Sequence, residues 1–401
     1  MTPITPTTDV DLDLLNPPDV GPQAALAFLG VEEGPAEGEP VRIGFLNQGN
    51  GVGSAPEALA GAEAAVHALN TELRGIQGRP VELISCTTSS GENETACAEK
   101  LRNAGVTLVI TGRTPVDPAG MTHALAGTPV TGVDPRSIAE ERNLNAAYYV
   151  IGRRGIANTA AQWVTAQTTG PVLIVTDEAS GEPELIKSAL SGLARSGRIT
   201  KQLDLPIRDA DDGAKDLDTV RQAIAETGAT TLILLTGPGG CVAVAEATRA
   251  EPEAITVVTA GTCSQRSVHD VLGDWTPAWT HVAGGPDLEN YDTDPQTAYY
   301  RDRFRDHAGA QADWTGLANS TFSAFMNAAR ALNAAQDLTA PAVVSALHGN
   351  KAPGYAAGKP LLCDLPELPA RCLNEARLYE YTGGRHWKLA DGGERIRITA
   401  E

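Results

Sequence analysis

A glycine-rich loop is the first feature of the sequence that suggests chemistry. Gly49-Asn50-Gly51-Val52-Gly53 follows a β-branched run and precedes an Ala-rich stretch, which is the position of a dinucleotide-binding loop. Its spacing is Gly-x-Gly-x-Gly instead of Gly-x-Gly-x-x-Gly, and the next predicted strand ends at Ser85 and Cys86 without an acidic residue for a ribose. The spacing therefore argues against NAD, and we expect no cofactor.

The four residues after this loop suggest a different use. Ser54-Ala55-Pro56-Glu57 has the pattern of a capping box, which would begin the helix and direct backbone N–H groups at a polar or anionic ligand. A cap that only ends the turn explains Ser54 equally well.

Patterns typical of enzymes are missing from the sequence. It contains no Gly-x-Ser-x-Gly, no His-Glu-x-x-His and no Gly-x-x-x-x-Gly-Lys-Ser/Thr. His67 and His123 are scattered singly, which is more typical of surface or packing residues than of general bases. Asp177 and Glu178 are expected in a solvated turn. We therefore predict that the chain is not an enzyme.

Six cysteines form three local groups along the sequence. Pairing of nearest neighbours would give Cys86–Cys97, Cys241–Cys263 and Cys363–Cys372. Free buried thiols are the alternative, and zinc is disfavoured because no Cys-x-x-Cys is present; we expect no metal. Disulfides persist in an oxidising compartment, so this pairing predicts export.

Composition limits the possible partners. The 401 residues are 42% hydrophobic and 20% charged, which is typical of a globular protein. The formal net charge of -19 would repel phosphate backbones, so we expect no nucleic-acid partner. No apolar run approaches the roughly 20 residues that span a bilayer.

The elements that must position these residues alternate between strands and helices from Val41 onward, which favours parallel sheets. In the first half, strands are predicted at 41–47, 81–86, 107–111 and 129–133, and helices at 55–73, 92–104 and 118–125. The alternation restarts after residue 150, with strands predicted at 171–176, 199–205, 231–236, 255–260 and 281–283. Two α/β lobes follow from this restart.

Two further regions lack strands. Helices are predicted at 295–307, 316–335 and 341–348, and at least one should return to pack on the first lobe. Residues 1–40 are rich in proline and lack the pattern of a signal peptide, so we expect a leader or tether. Within it, Gln23–Leu29 is expected to form a helical turn that docks on the body.

Several segments together resemble type I periplasmic solute-binding proteins, in particular the branched-chain amino-acid-binding (Leu/Ile/Val) family of ABC-transporter receptors. The resemblance covers about residues 41–390 and is carried by the segments 43–46, 60–66, 69–70, 75–83, 95–101, 109–112 and 127–132. The three local cysteine pairs look like those of actinobacterial members, which are commonly exported lipoproteins.

The resemblance implies two Rossmann-like lobes with parallel central sheets, joined by a hinge of several crossings, with the ligand in the cleft between them. We expect the first lobe to contain 41–150 and 284–348, and the second to contain 151–283 and 349–401. Strand-end loops would line the cleft. The expected ligand-binding residues are Gln48, Asn50, Ser54, Thr111, Arg113, Thr114, Thr131, Asp134, Ser180, Pro238, Gly239 and Thr262.

The second lobe departs from the pattern of amino-acid-binding relatives. Those relatives use hydroxyl groups after the third and fourth strands for an α-carboxylate, a role open to Thr111, Thr114 and Thr131. They also place aromatic and acidic residues on the second lobe, where this chain has small ones such as Pro238-Gly239. With Arg113 free to pair with an acid, a carboxylate that is larger than or different from an ordinary amino acid is expected, although a solvent-facing Arg113 is equally consistent with the sequence.

The resemblance also predicts a partner and a location. The implied function is capture of a small organic ligand by lobe closure and delivery to the membrane permease of an ABC importer. We expect a monomer that is exported, extracellular or at the cell surface, and lipid-anchored. A ligand-binding sensory domain of a receptor or regulator would share the fold, and an unrecognised α/β enzyme is the remaining alternative.

Overall fold

The structure is a computed structural model that describes residues 21–177, 181–252, 254–273, 275, 277–284, 293–309, 312–314, 316–382, 387–390 and 395–398. These residues form two α/β lobes, each built around its own sheet. The predicted alternation of strands and helices is confirmed. The observed ends of these elements differ from the predicted ends by no more than three residues.

The first lobe contains a parallel four-stranded sheet in the order β2-β1-β3-β4. Its strands are β1 (Val41–Asn50), β2 (Val81–Ser89), β3 (Leu108–Thr111) and β4 (Val130–Gly132). The helices of this part of the chain are α1 (Gln23–Leu29), α2 (Pro56–Thr71), α3 (Thr95–Asn103), α4 (Pro118–Ala124) and α5 (Ile138–Glu141). Strand β1 is buried over most of its length, as expected of a strand covered by helices on both faces.

The second lobe contains a sheet in the order β11-β10-β9-β8-β7-β5-β6. Its parallel strands are β5 (Val172–Thr176), β6 (Ile199–Asp204), β7 (Thr231–Leu235), β8 (Thr256–Ala260) and β9 (Thr280–Ala283). Its helices are α6 (Gly152–Gln167), α7 (Pro183–Ala189), α8 (Ser191–Arg195), α9 (Leu217–Thr227), α10 (Pro238–Thr248) and α11 (Arg266–Leu272). Short 3-10 turns lie at Ala210–Asp216 and Gly261–Ser264.

Three C-terminal strands were not predicted. They are β10 (Glu375–Tyr381), β11 (Trp387–Leu389) and β12 (Ile396–Arg397). Strand β10 pairs antiparallel with β9, and it also pairs antiparallel with β11 and β12. The second sheet is therefore mixed at this edge.

The helices after the second lobe return to the first, as predicted. They are α12 (Pro295–Ala308), α13 (Leu317–Ala334) and α14 (Ala340–Gly349), of which α12 and α13 pack on α2. Gly61 of α2 permits this packing, because a Cβ there would lie 2.3 Å from the carbonyl oxygen of Ala318. The segment after α14 also contacts the first lobe, where Tyr355 packs against Phe28 and Phe322.

The predicted disulfides are confirmed. Bonds join Cys86 to Cys97, Cys241 to Cys263 and Cys363 to Cys372. The expected helix at Gln23–Leu29 is confirmed too, with Ala25, Leu26 and Leu29 buried in the core of the first lobe, whereas residues 1–20 lie outside the described residues. Among the described residues, no helix has the length and apolar character of a membrane span.

Candidate ligand-binding site

The two lobes meet where the segments after β1 and β4 of the first contact the segments after β6 and β5 of the second. The backbone N–H of Gly53, in the turn after β1, donates to Asp209 Oδ1 of the second lobe at 3.2 Å. The backbone N–H of Glu182 in the second lobe donates to the carbonyl of Arg136 in the first at 2.9 Å. These bonds show that the lobes are in contact at two places.

Arg113 is the central charged residue of the cleft. It follows β3, and only 6% of its surface is exposed. Its Nε and Nη2 atoms are buried and have no hydrogen-bond partner among the described residues. Burial, together with the charges of Arg136 and Arg153, lowers the pKa of Arg113 to about 9. A buried guanidinium with unsatisfied donors is costly, so this side chain is suited to receive an anion.

The threonines of the first lobe differ in what they can offer. Thr114 is fully buried, and its hydroxyl has no hydrogen-bond partner in the part of the chain that the structure describes. The hydroxyl of Thr111 instead donates to the carbonyl of Thr131 at 3.4 Å, and that of Thr131 donates to the carbonyl of Ala147 at 2.7 Å. Thr114 is therefore the hydroxyl best placed to assist Arg113.

Asn47, which the sequence reasoning missed, holds the first-lobe loops together. Its Nδ2 donates to the carbonyl of Ala55 at 2.8 Å, and its Oδ1 accepts the N–H of Arg113 at 2.8 Å. Gly112 allows this approach, since a Cβ there would lie 2.5 Å from Asn47 Oδ1. Gln48 adds a bond from its own N–H to the carbonyl of Arg113 at 2.7 Å. A single asparagine inside a strand does not reveal its role in the sequence. The one indication is that a buried amide without hydrogen-bond partners would be unfavourable.

The predicted capping box at Ser54 is wrong. Helix α2 begins at Pro56, its N-cap residue is Ala55, and no side chain caps it. The reason is that Ala55 is already bound on both sides, because its N–H donates to Gln48 and its carbonyl accepts Asn47. Ser54 is half-buried in the turn, and Asn50 is exposed at the end of β1.

Asp134 serves two arginines. Its carboxylate accepts Arg136 Nη2 at 2.7 Å and Arg153 Nε at 2.8 Å, and all three side chains are buried. These cations hold the pKa of Asp134 well below its ordinary value, against the opposing effect of burial. Arg153 belongs to α6, so its bond to Asp134 also connects the two lobes.

On the second lobe, the expectation that Asp177 is solvated is wrong. Asp177 follows β5, is only 7% exposed, and its Oδ2 accepts the N–H of Gly237 at 2.7 Å. Its charge also acts on Arg113 across the cleft. The second lobe therefore has a buried carboxylate where the sequence predicted a solvent-exposed one.

The remaining second-lobe residues contribute mainly backbone. Pro238 is the first residue of α10, Gly239 is buried beside it, and Thr262 is half-buried in the 3-10 turn after β8. Cys241–Cys263 connects these two loops. Ser180 and Glu178 lie outside the described residues. The structure brings the other predicted residues to the facing loops of the two lobes, and their contact with a ligand stays a prediction.

A metal centre is not apparent in the described parts of the chain. No group of three or more His, Cys, Asp or Glu side chains there is arranged to hold a metal ion. The acidic residues named above are paired with arginines or with backbone N–H groups.

Solved structures with this fold come from several bacteria. One is a solute-binding protein of an ABC transporter from R. palustris in complex with 4-hydroxybenzoate, with a TM-score of 0.69, 12% identity, and coverage of 90% of this chain and 98% of that one. A fatty acid ABC transporter substrate-binding protein from Thermomonospora curvata has a TM-score of 0.69, 12% identity, and coverage of 92% and 94%. The branched-chain amino acid transporter protein LivJ from Streptococcus pneumoniae, in complex with isoleucine, has a TM-score of 0.66, 15% identity, and coverage of 90% and 100%.

These similarities confirm the predicted type I fold with two lobes and parallel central sheets. A search of curated proteins finds no match to the sequence. The model of the family described as periplasmic binding protein matches residues 40–361, which is most of the chain. The chain therefore belongs to the periplasmic binding protein family of small-molecule-binding proteins.

Proposed function

We propose that this protein captures an organic carboxylate in the cleft between its lobes and delivers it to the permease of an ABC importer. The observation that carries the ligand class is Arg113, whose buried Nε and Nη2 atoms lack hydrogen-bond partners within the described parts of the chain. A carboxylate can accept two parallel hydrogen bonds from a guanidinium, and Thr114 would supply a third donor beside them. Binding would therefore satisfy donors that are already desolvated in the free protein.

The body of the ligand would lie toward the second lobe. The start of α10 and the 3-10 turn after β8 present Pro238 and Thr262 there, which leave more room than large side chains would. Neighbours with this fold include the proteins described as binding 4-hydroxybenzoate and as serving fatty acid transport. Both compounds are carboxylates whose remaining part lacks an ammonium group, which agrees with the ligand class proposed here.

An amino acid is the second candidate because of Asp177. This carboxylate is buried on the lobe that faces Arg113, so it could accept an ammonium group. It already accepts the N–H of Gly237, however, and only part of its hydrogen-bonding capacity would remain for a ligand. We favour the simple carboxylate for this reason.

The cellular setting is part of the same proposal. Three disulfides and membership of the family support an exported protein. We place it at the cell surface as a lipid-anchored monomer, with the permease as its partner in the membrane. Retention in the membrane fraction of the native host, lost after lipase treatment of the anchor, would test the location.

Calorimetry with matched ligands tests the ligand class. The two pairs are 3-phenylpropanoate with phenylalanine and 4-methylpentanoate with leucine, because the members of each pair differ only in the amino group. We expect the acid without the amino group to bind more tightly in at least one pair. Tighter binding of the amino acid in both pairs, abolished by Asp177→Asn, would instead establish the second candidate.

Arg113 variants test the residue that carries the proposal. Arg113→Ala should weaken binding of the acid by on the order of 100-fold, since two charge-assisted hydrogen bonds together contribute about 3 kcal/mol. Arg113→Lys should recover only part of this loss, because an ammonium cannot form the bidentate pair. Arg42→Ala, at a half-exposed pair with Glu82, is the matched control and should leave binding unchanged. Equal affinities in all variants would exclude Arg113 from the site.

A further inference from the structure

The segment after β6 reaches across the cleft and contacts the first lobe. Asp209 accepts the N–H of Gly53 at 3.2 Å. A Cβ placed on Gly53 would lie 2.3 Å from Cδ1 of Ile207 and 3.6 Å from Nη2 of Arg113. Ile207 and the guanidinium of Arg113 therefore both lie on the side of Gly53 where a Cβ would stand, next to the position where the ligand is proposed to bind.

The same segment is fixed firmly to its own lobe. The carbonyl of Arg208 accepts the N–H of Gly239 at 3.1 Å, and Arg208 forms a two-fold pair with Asp216 at 2.6 and 3.2 Å. Gly239 allows this contact, because a Cβ there would lie 2.6 Å from Cβ of Arg208. Residues 206–209 therefore move with the second lobe when the cleft opens.

We infer that residues 206–209 complete the ligand site from the second lobe, with Ile207 and Asp209 as positioning residues for Arg113. On closure, Asp209 binds the turn at Gly53, and Ile207 covers the side of that turn nearest to the guanidinium. Exclusion of water from Arg113 strengthens its attraction for a carboxylate. This inference rests on the proposed function for its ligand, although the contact itself forms without one.

Gly53 is the residue that makes this contact possible. Its φ of +66° lies in the left-handed region, which favours glycine. Any side chain there would also collide with Ile207, since a separation of 2.3 Å is far below van der Waals contact. The turn and the isoleucine are thus matched in size across the two lobes.

Amide exchange tests the bond from Gly53 to Asp209 in the ligand-free protein. We expect the Gly53 N–H to be protected, and to exchange at least tenfold faster in Asp209→Ala. Asp209→Asn retains the accepting oxygen and should keep most of the protection. The N–H of Gly112, which donates to Leu46 within the first sheet, is the internal control and should not change. An unprotected Gly53 in the wild type, or protection that survives in Asp209→Ala, would overturn the inference.

A rescue experiment tests the match between Gly53 and Ile207. Gly53→Ala should hold the lobes apart and increase the radius of gyration in solution scattering, and addition of Ile207→Ala should restore the wild-type value. Gly91→Ala is the matched control, because Gly91 also has a positive φ, +80°, but open space around its Cβ position. A radius unchanged in Gly53→Ala, or not restored in the double variant, would refute the match.

These two measurements need no ligand, so they are separable from the binding experiments. Failure of the carboxylates to bind, with the exchange and scattering results as expected, would reject the ligand class and retain the contact. Binding of the acid that depends on Arg113 but is unaffected by Asp209→Ala and Ile207→Ala would retain the ligand class and reject the role of residues 206–209.

Discussion

In the candidate site, the first lobe contributes buried polar and charged side chains, whereas the second lobe contributes mostly backbone. We call the first of these the first wall, formed by Asn47, Arg113, Thr114, Asp134 and Arg136. The second wall is formed by Asp177, Gly237, Pro238, Gly239 and Thr262. Both walls lie at the ends of parallel strands, so the sheets alone do not explain the difference.

The two walls are kept rigid by different means. In the first wall, Asn47 and Asp134 fix their neighbours through side-chain hydrogen bonds and ion pairs. In the second wall, Cys241–Cys263 joins the loops covalently. The comparison teaches that the charged and polar groups of the candidate site are built into the first lobe, while the second supplies shape. A fixed, desolvated donor loses little entropy on binding, which is an advantage for capture of a small ligand.

Asp134→Asn should have the largest effect, because it breaks the ion pairs of the first wall. Loss of the charged carboxylate would leave Arg136 and Arg153 buried without the anion that both bind, which costs about 3–5 kcal/mol of the free energy of unfolding. Urea unfolding followed by tryptophan fluorescence measures this loss. Asp364→Asn, at an exposed pair with Arg397, should cost less than about 1 kcal/mol. Similar losses in both variants would show that the first wall does not depend on Asp134.

Glu140→Gln, at a residue that binds the backbone of Arg136 in the first wall, should change how the stability of the protein depends on pH. Glu140 is fully buried, its Oε2 accepts the N–H groups of Arg136 and Ser137, and burial raises its pKa to about 8. A pKa raised in the folded state means that the native protein binds more protons than the unfolded one between about pH 4.5 and 8. Stability from this group is therefore present below that range and is lost as pH rises through it.

The glutamine variant remains neutral, so its free energy of unfolding should lack this decline and exceed that of the wild type above pH 8 by a few kcal/mol. Chemical unfolding from pH 5 to 9 checks the difference between the two curves. Parallel curves for the two proteins would mean that Glu140 does not titrate in this range.

Removal of Cys241–Cys263 tests the rigidity of the second wall. The Cys241→Ser, Cys263→Ser double variant should lose about 3 kcal/mol of stability, from the entropy that the unfolded chain regains when a loop with a sequence separation of 22 is opened. Ligand affinity should fall as well, because the loops at Pro238 and Thr262 are no longer joined. The matched variant without Cys86–Cys97, whose separation is 11, should lose similar stability but retain affinity. Equal losses of affinity in both variants would contradict the comparison.

Local patterns in the sequence were sufficient for the fold and the disulfides. A parallel strand such as Val172–Thr176 is buried on both faces. It therefore appears in a single sequence as a continuous run of apolar and β-branched residues. The cysteine pairs connect neighbouring elements, so nearest-neighbour pairing found them. Strands β10 to β12 were not predicted because their pairing is antiparallel and non-local. They extend the edge of a sheet whose parallel strands lie about a hundred or more residues earlier along the chain.

The candidate site was less predictable because it depends on contacts between distant residues. Arg113 was identified, but the sequence could not show that its Nε and Nη2 atoms are buried without a hydrogen-bond partner among the described residues. Asp177 was expected to be solvated because its hydrogen-bond donor, the N–H of Gly237, lies sixty residues later in the sequence. Ser54 had the right neighbours for a cap, yet Asn47 and Gln48 already bind Ala55. For Asp177 and Ser54, the deciding hydrogen bonds come from residues that no local pattern indicates.

Asn47→Asp should have the smallest effect and should separate positioning from contact with the ligand. The variant keeps the oxygen that accepts the N–H of Arg113, but it replaces the donor to Ala55 by a second oxygen facing a carbonyl. The loop at Ala55 should loosen, and the acid should bind about tenfold more weakly, or about 1.4 kcal/mol. Asn70→Asp is the matched control. Asn70 also donates to one backbone carbonyl and accepts one backbone N–H, both of Val81 at the start of β2. It should lower stability by a similar amount and leave affinity unchanged. If both variants bind the acid equally well, Asn47 supports the fold of the first lobe and does not position Arg113.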